Sequence, residues 1–105
     1  MLRLDMPNRP APPDPELGRK IVEGGESAEY LWHVPDDAGT RAKLKLLLEE
    51  IRETSAKQGR TEMPKLCDEM LTALQASPTP QQLDLLHDGF NRLQKLWGAA
   101  KTGLT

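Results

Sequence analysis

The stretch that decides the fold is residues 83–97, LDLLHDGFNRLQKLW. Its apolar side chains recur at alternating steps of three and four residues, which places them along one face of an α-helix. The members of this stripe are Leu83, Leu86, Phe90, Leu93 and Trp97. A stripe of this length must be buried against other helices or against a partner protein, so the sequence predicts packed helices.

Two earlier segments carry apolar faces of the same kind. One face comprises Leu66, Cys67, Met70, Leu71 and Leu74, and the other comprises Leu44, Leu47, Leu48, Ile51 and Ser55. Together the three patterns predict long helices at about 37–58, 62–76 and 80–101, the last ending at 100 or 101. No segment of useful length alternates with the period of a β-strand.

Local signals at the helix ends support these boundaries. Gly59 suits the end of the first long helix, and Thr61 suits the N-cap of the second. Residues 77–80 break the chain sharply because they contain two prolines. Thr79 is the predicted N-cap of the third long helix, with Gln82 at position N3 in a capping-box arrangement.

The N-terminal third is less regular. Residues 1–15 hold five of the nine prolines and predict a flexible, proline-rich tail. A short helix is expected from Glu16 to Gly24, ended by the Gly24-Gly25 pair, and residues 28–34 are expected to form a helical turn or an extended strap. The predicted fold is therefore all-α. It is a small up-and-down antiparallel bundle of three long helices plus a short N-terminal helix and strap, within residues 16–105.

Composition narrows the functional classes. The net charge is only −2, whereas nucleic-acid binding normally needs a basic surface, so no nucleic-acid partner is expected. No apolar run approaches the roughly 18 residues of a membrane span, and none has the length of a signal peptide. Cys67 is the only cysteine, which favours a reducing, cytoplasmic setting.

Residue types that carry chemistry are sparse and scattered. His33, His87 and Cys67 lie on different predicted elements, and neither histidine has a partner at i+4, so no metal site is expected. Cys67 lies on an apolar stripe, which predicts a buried, inert thiol with a raised pKa. We therefore predict a non-enzymatic protein with no catalytic residue, cofactor or metal.

The candidate partner-binding residues are Tyr30, Leu31, Trp32 and Trp97. Tyrosine and tryptophan are over-represented where proteins meet, and the apolar seam continues as far as Trp97. One interpretation makes the strap around Trp32 a contact surface for another protein. The other makes the strap a cover for the open end of the bundle. Self-association is a further way to bury the exposed apolar surface.

The stretch from Gly59 to Leu74, GRTEMPKLCDEMLTAL, resembles the second half of a histidine-phosphotransfer domain, in which a glycine turn leads into a leucine-containing helix. The resemblance implies a four-helix architecture and docking to receiver domains. In that family the phosphoacceptor histidine lies on the preceding helix, followed three and four residues later by lysine and glycine. Residues 37–58 contain no histidine, and His87 is followed at those positions by phenylalanine and asparagine. The resemblance therefore assigns no active residue.

The predicted function is that of a non-enzymatic helical protein–protein interaction or adaptor module in bacterial signalling. The alternative is a histidine-phosphotransfer-like or receiver-docking domain. In both cases the expected partner is another protein, such as a receiver or signalling domain, or a second copy of the chain.

Overall fold

The computed structural model describes residues 15–101, which form four α-helices and contain no β-strand. Their bounds are α1 Pro15–His33, α2 Ala38–Lys57, α3 Glu62–Leu74 and α4 Pro80–Lys101. The all-α prediction is confirmed. The predicted tail lies outside the described residues except for Pro15, which is the first residue of α1.

The four helices form a closed ring in which each packs against two neighbours. Consecutive helices contact each other, and α1 also contacts α4, whereas the backbones of the two diagonal pairs do not approach closely. Three short connections require a reversal at every turn, so neighbouring helices run antiparallel. The result is an up-and-down four-helix bundle with one shared core.

The N-terminal region differs from its prediction. Instead of a short helix and a strap, residues 15–33 form one continuous helix of 19 residues that passes through Gly24-Gly25. Gly24 does not end the helix because it lies against the ring of Phe90 on α4, where a larger residue has no room. Tertiary packing thus compensates for the low helix propensity of glycine.

The core combines apolar side chains from all four helices. The predicted seam of α4 is buried at Leu83, Leu86, Phe90 and Leu93, while Trp97 is packed at the edge of the core. On α3 the predicted face is rotated slightly, because Met63 is buried whereas Leu71 lies at the margin. The other buried core residues are Leu17, Ile21, Ala28, Leu31, Leu44, Leu48, Ile51, Cys67 and Met70.

The helix ends follow the local signals closely. Gly59 has φ +81°, and the amides of Gly59 and Arg60 donate to the carbonyls of Ala56 and Ser55, which is a Schellman ending of α2. At the other end of α2 the Asp37 carboxylate accepts from the Thr40 amide at 2.9 Å. Hydrogen bonds from the Thr40 hydroxyl and amide lower the pKa of that carboxyl.

Thr61 precedes α3 as predicted, but its side chain makes no capping hydrogen bond and its backbone is already helical. Helix α3 also ends two residues earlier than the predicted Ala76. Its 13 residues make it the shortest helix of the bundle. The boundary of α4, in contrast, matches the sequence prediction.

Candidate functional site

The structure separates the aromatic residues that the sequence grouped together. Residues 30, 31 and 32 are successive positions of α1, and a step of two residues turns a helix by about 200°. Leu31 is fully buried in the core, whereas Tyr30 is 47% exposed and Trp32 is 40% exposed. Tyr30 borders a shallow hollow shared with Thr40 of α2, so it emerges on the α2 side of α1. Trp32 lies on the opposite flank.

Trp97 lies towards the other end of the bundle. Its indole is half-buried and packs against Gly18, near the start of α1. Gly18 and Trp32 are 14 positions apart on one helix, or about 21 Å. The four predicted partner-binding residues therefore do not form one surface. Leu31 is a core residue, and Tyr30 and Trp32 remain predictions as separate contacts.

The remaining chemistry-bearing residues are also apart. Cys67 is buried, and desolvation raises the pKa of its thiol to about 12, so the thiol stays protonated at neutral pH. This agrees with its predicted place in the core. His33 and His87 are both exposed, one at the end of α1 and the other in the middle of α4.

A polar network that was not predicted from the sequence connects the helix ends at one end of the bundle. Arg41 on α2 donates from Nη1 to the Pro35 carbonyl at 3.2 Å and to the Gln82 Oε1 atom at 2.9 Å. Its Nη2 atom donates to the carbonyls of Leu74 at 3.2 Å and Ala76 at 2.9 Å. One guanidinium thus joins two inter-helix connections to the start of α4.

Gln82 completes this network. Its Nε2 atom donates to the carbonyls of Ala73 at 2.6 Å, Ala76 at 3.0 Å and Ser77 at 3.2 Å. The Gln82 backbone amide donates the predicted N-cap hydrogen bond to the Thr79 hydroxyl oxygen at 3.1 Å. The side chain, however, turns to the end of α3 instead of forming the reciprocal capping-box bond. It thereby satisfies carbonyls that lack partners within α3.

An open groove of about 660 Å³ lies between α3 and α4. Its apolar floor consists of Leu66 and Met70 from α3 and of Leu85 and Gly89 from α4. Gly89 lets the two helices approach, since a Cβ there would lie 2.5 Å from the Met70 sulfur. Leu85 is 40% exposed, so part of this apolar floor faces solvent.

The rim of the groove is mainly acidic. Glu62 at one end accepts two hydrogen bonds from Arg92, from Nε at 3.1 Å and Nη2 at 2.5 Å. Glu69, Asp84 and Asp88 also line the groove, and no described residue forms an ion pair with them. With four carboxylates and one guanidinium, the lining carries a formal charge of −3 (four negative minus one positive).

Sequence reasoning assigned Leu66 to an apolar helix face and placed neither Asp84 nor Asp88 in a candidate site. The available signal was Leu85, an apolar residue one step away from the seam and placed between two acidic positions of the same turn. What the sequence could not show is that α3 lies beside this face of α4. The groove exists only through that pairing.

Within residues 15–101, no group of three or more histidine, cysteine, aspartate or glutamate side chains could hold a metal ion. None of the described helices is long and apolar enough to cross a membrane. Comparisons of the chain with family models, with curated proteins and with solved structures each find no match.

Proposed function

We propose that this protein is a non-enzymatic adaptor module that binds another protein through the groove between α3 and α4. The observation that carries the proposal is the apolar floor of the groove, in which Leu85 is 40% exposed, together with the acidic residues that line the groove beside it. Exposed apolar surface inside a polar rim is typical of protein-binding sites.

The chemistry of the groove also favours recognition over reaction. Its charged groups are carboxylates on the exposed rim and an arginine that already pairs with Glu62. The one thiol of the chain, Cys67, is buried in the core. A single cysteine in such a place is compatible with a reducing environment, so we propose that the adaptor works in the cytoplasm, in a signalling complex.

Leu85→Asp tests the proposal against a matched control, Leu46→Asp. Both leucines are exposed, Leu85 to 40% and Leu46 to 60%, so neither substitution should unfold the bundle. Leu46 lies on α2, outside the groove. We expect proteins captured from a lysate of the native organism, identified by mass spectrometry, to be lost with Leu85→Asp and retained with Leu46→Asp. Thermal unfolding would verify that both variants are folded.

Retention of the same partners by Leu85→Asp would refute the groove as the binding surface. Loss of partners by both variants would instead point to a general effect of surface charge. A matching pair of substitutions at Tyr30 and Trp32 would then show whether the aromatic residues of α1 make the contact.

A receiver-docking module of the histidine-phosphotransfer type is the second candidate. The four-helix antiparallel architecture and the exposure of His87 on α4 favour it. We expect docking without phosphoryl transfer, because Asp84 lies one turn from His87 on the helix and repels a phosphoryl group. Incubation with a phosphorylated receiver would test this, and an acid-labile label on the wild type that is lost in His87→Gln would contradict it.

A further inference from the structure

We infer that the groove between α3 and α4 accepts a basic amphipathic helix from the partner protein. This inference rests on the proposed function, since it names the chemistry of the segment that the adaptor binds. Three properties of the groove support it: the backbone groups around it, its length and its charge.

The groove is walled by two α-helices, whose own backbone groups are hydrogen-bonded along each helix. An extended peptide would place its N–H and C=O groups against these walls without backbone partners. A helical peptide satisfies its own backbone and presents only side chains, which is the usual way of filling a groove between helices. The walls of the groove therefore favour a helical segment as the occupant.

The length of the groove sets the length of its occupant. Along α4 the lining runs from Gln81 to Arg92, 11 positions apart, which corresponds to about 16 Å. An α-helix covers that distance in about three turns. Apolar side chains at i, i+4 and i+7 of such a helix would face the apolar floor of the groove.

The charge of the groove predicts that the bound segment of the partner is basic. The lining carries a formal charge of −3, and Glu69, Asp84 and Asp88 form no ion pair with the described residues. Lysine and arginine have long apolar stems, so residues flanking an apolar stripe can reach these carboxylates while the stripe stays on the floor. An acidic or phosphorylated segment would meet repulsion along both walls.

The same charges disfavour a second copy of this chain as the occupant. In a two-fold dimer that joined groove to groove, the acidic rim of one protomer would face the acidic rim of the other. A separate, basic partner avoids this repulsion.

The test uses the full chain and a fluorescein-labelled synthetic peptide of about 14 residues, or four helical turns. The peptide carries leucines at i, i+4, i+7 and i+11 and lysine or arginine at the flanking positions. Three further peptides serve as comparisons: one with glutamate in place of every basic residue, one with glutamine there, and one of scrambled order. Fluorescence anisotropy gives the affinity of each at low and at physiological salt.

The protein variants separate charge from apolar contact. Asp84→Lys/Asp88→Lys reverses the exposed acidic pair on α4, and Leu85→Asp disrupts the floor. The matched control is Glu49→Lys/Glu53→Lys on α2, which makes the same change of charge at the same spacing away from the groove. Circular dichroism would confirm that all three variants remain helical.

We expect the basic peptide to bind the wild type and to lose about tenfold in affinity with Asp84→Lys/Asp88→Lys, an effect that decreases with salt. The glutamate peptide should gain affinity for the same variant. The α2 control should bind the basic peptide within about twofold of the wild type. This pattern of affinities would show that the groove binds basic segments in preference to acidic ones.

Other outcomes separate the inference from the proposed function. The glutamine and glutamate peptides could instead bind as tightly as the basic one, with Leu85→Asp abolishing the binding of all three. That result would refute the inference that the partner is basic, but the groove would remain a docking site. Binding that Leu85→Asp does not change would overturn both. A dimeric wild type that Leu85→Asp makes monomeric in light scattering would identify a second copy as the occupant and refute the inference.

Discussion

Gly24→Ala is expected to lower the free energy of unfolding by about 1–2 kcal/mol, although alanine is the better helix former. A methyl group at this position would overlap the Cε1 and Cζ atoms of Phe90. The Phe90 ring is buried in the core, so it can move aside only by displacing other packed side chains. That cost exceeds the helix-propensity gain of about 1 kcal/mol. Denaturant unfolding followed by circular dichroism would measure the change.

Gly25→Ala is the matched control, since it makes the same substitution one position further along the same helix. The added Cβ would lie 3.2 Å from Nε2 of Gln94, an exposed and flexible side chain that can rotate away. We expect this variant to be more stable than the wild type by about 0.5–1 kcal/mol. A gain in stability for both alanine variants would contradict the close packing of Gly24 on Phe90.

Arg41→Ala is expected to lower the free energy of unfolding by about 2 kcal/mol, because hydrogen bonds from a charged group to four acceptors are lost together. The site is only partly buried, so water can replace some of these bonds and limits the cost. The loss should be largest at the end of the bundle formed by residues 34–37 and 75–79. Amide hydrogen exchange would localise it there, and denaturant unfolding would give its size.

Two variants give this prediction its controls. Arg41→Lys keeps the charge but offers one ammonium group in place of the guanidinium fork, so we expect it to recover less than half of the lost stability. Lys45→Ala removes an exposed cation from the same helix and should change stability by less than about 0.5 kcal/mol. An Arg41→Ala protein as stable as Lys45→Ala would show that the network contributes nothing to folding.

Much of the fold was predictable because its signals are local. The apolar periods of α2 and α4 require only the geometry of one helix, and so does the glycine that ends α2 at Gly59. The burial of Cys67 followed from its place on an apolar stripe. These features depend on neighbours within a few residues, and such neighbours can be read from the order of the chain.

The candidate site was not predictable in the same way. Tyr30 and Trp32 are adjacent in the sequence to Leu31, but a continuous α1 directs them to opposite flanks. Conversely, Leu66 and Leu85 lie 19 positions apart and meet in one groove only because α3 packs beside α4. Spacing along the chain is thus a poor guide to a surface that two helices share.

The sequence by itself determined that the chain is helical, where α2 and α4 begin and end, and which of their faces are apolar, because each of these is a property of one turn and its neighbours. Only the tertiary structure decided that α1 continues through Gly24, that Arg41 and Gln82 join the ends of three helices, and that an acidic groove opens over Leu85. Each of the latter depends on which side chain lies opposite in space, and that is settled by packing between helices.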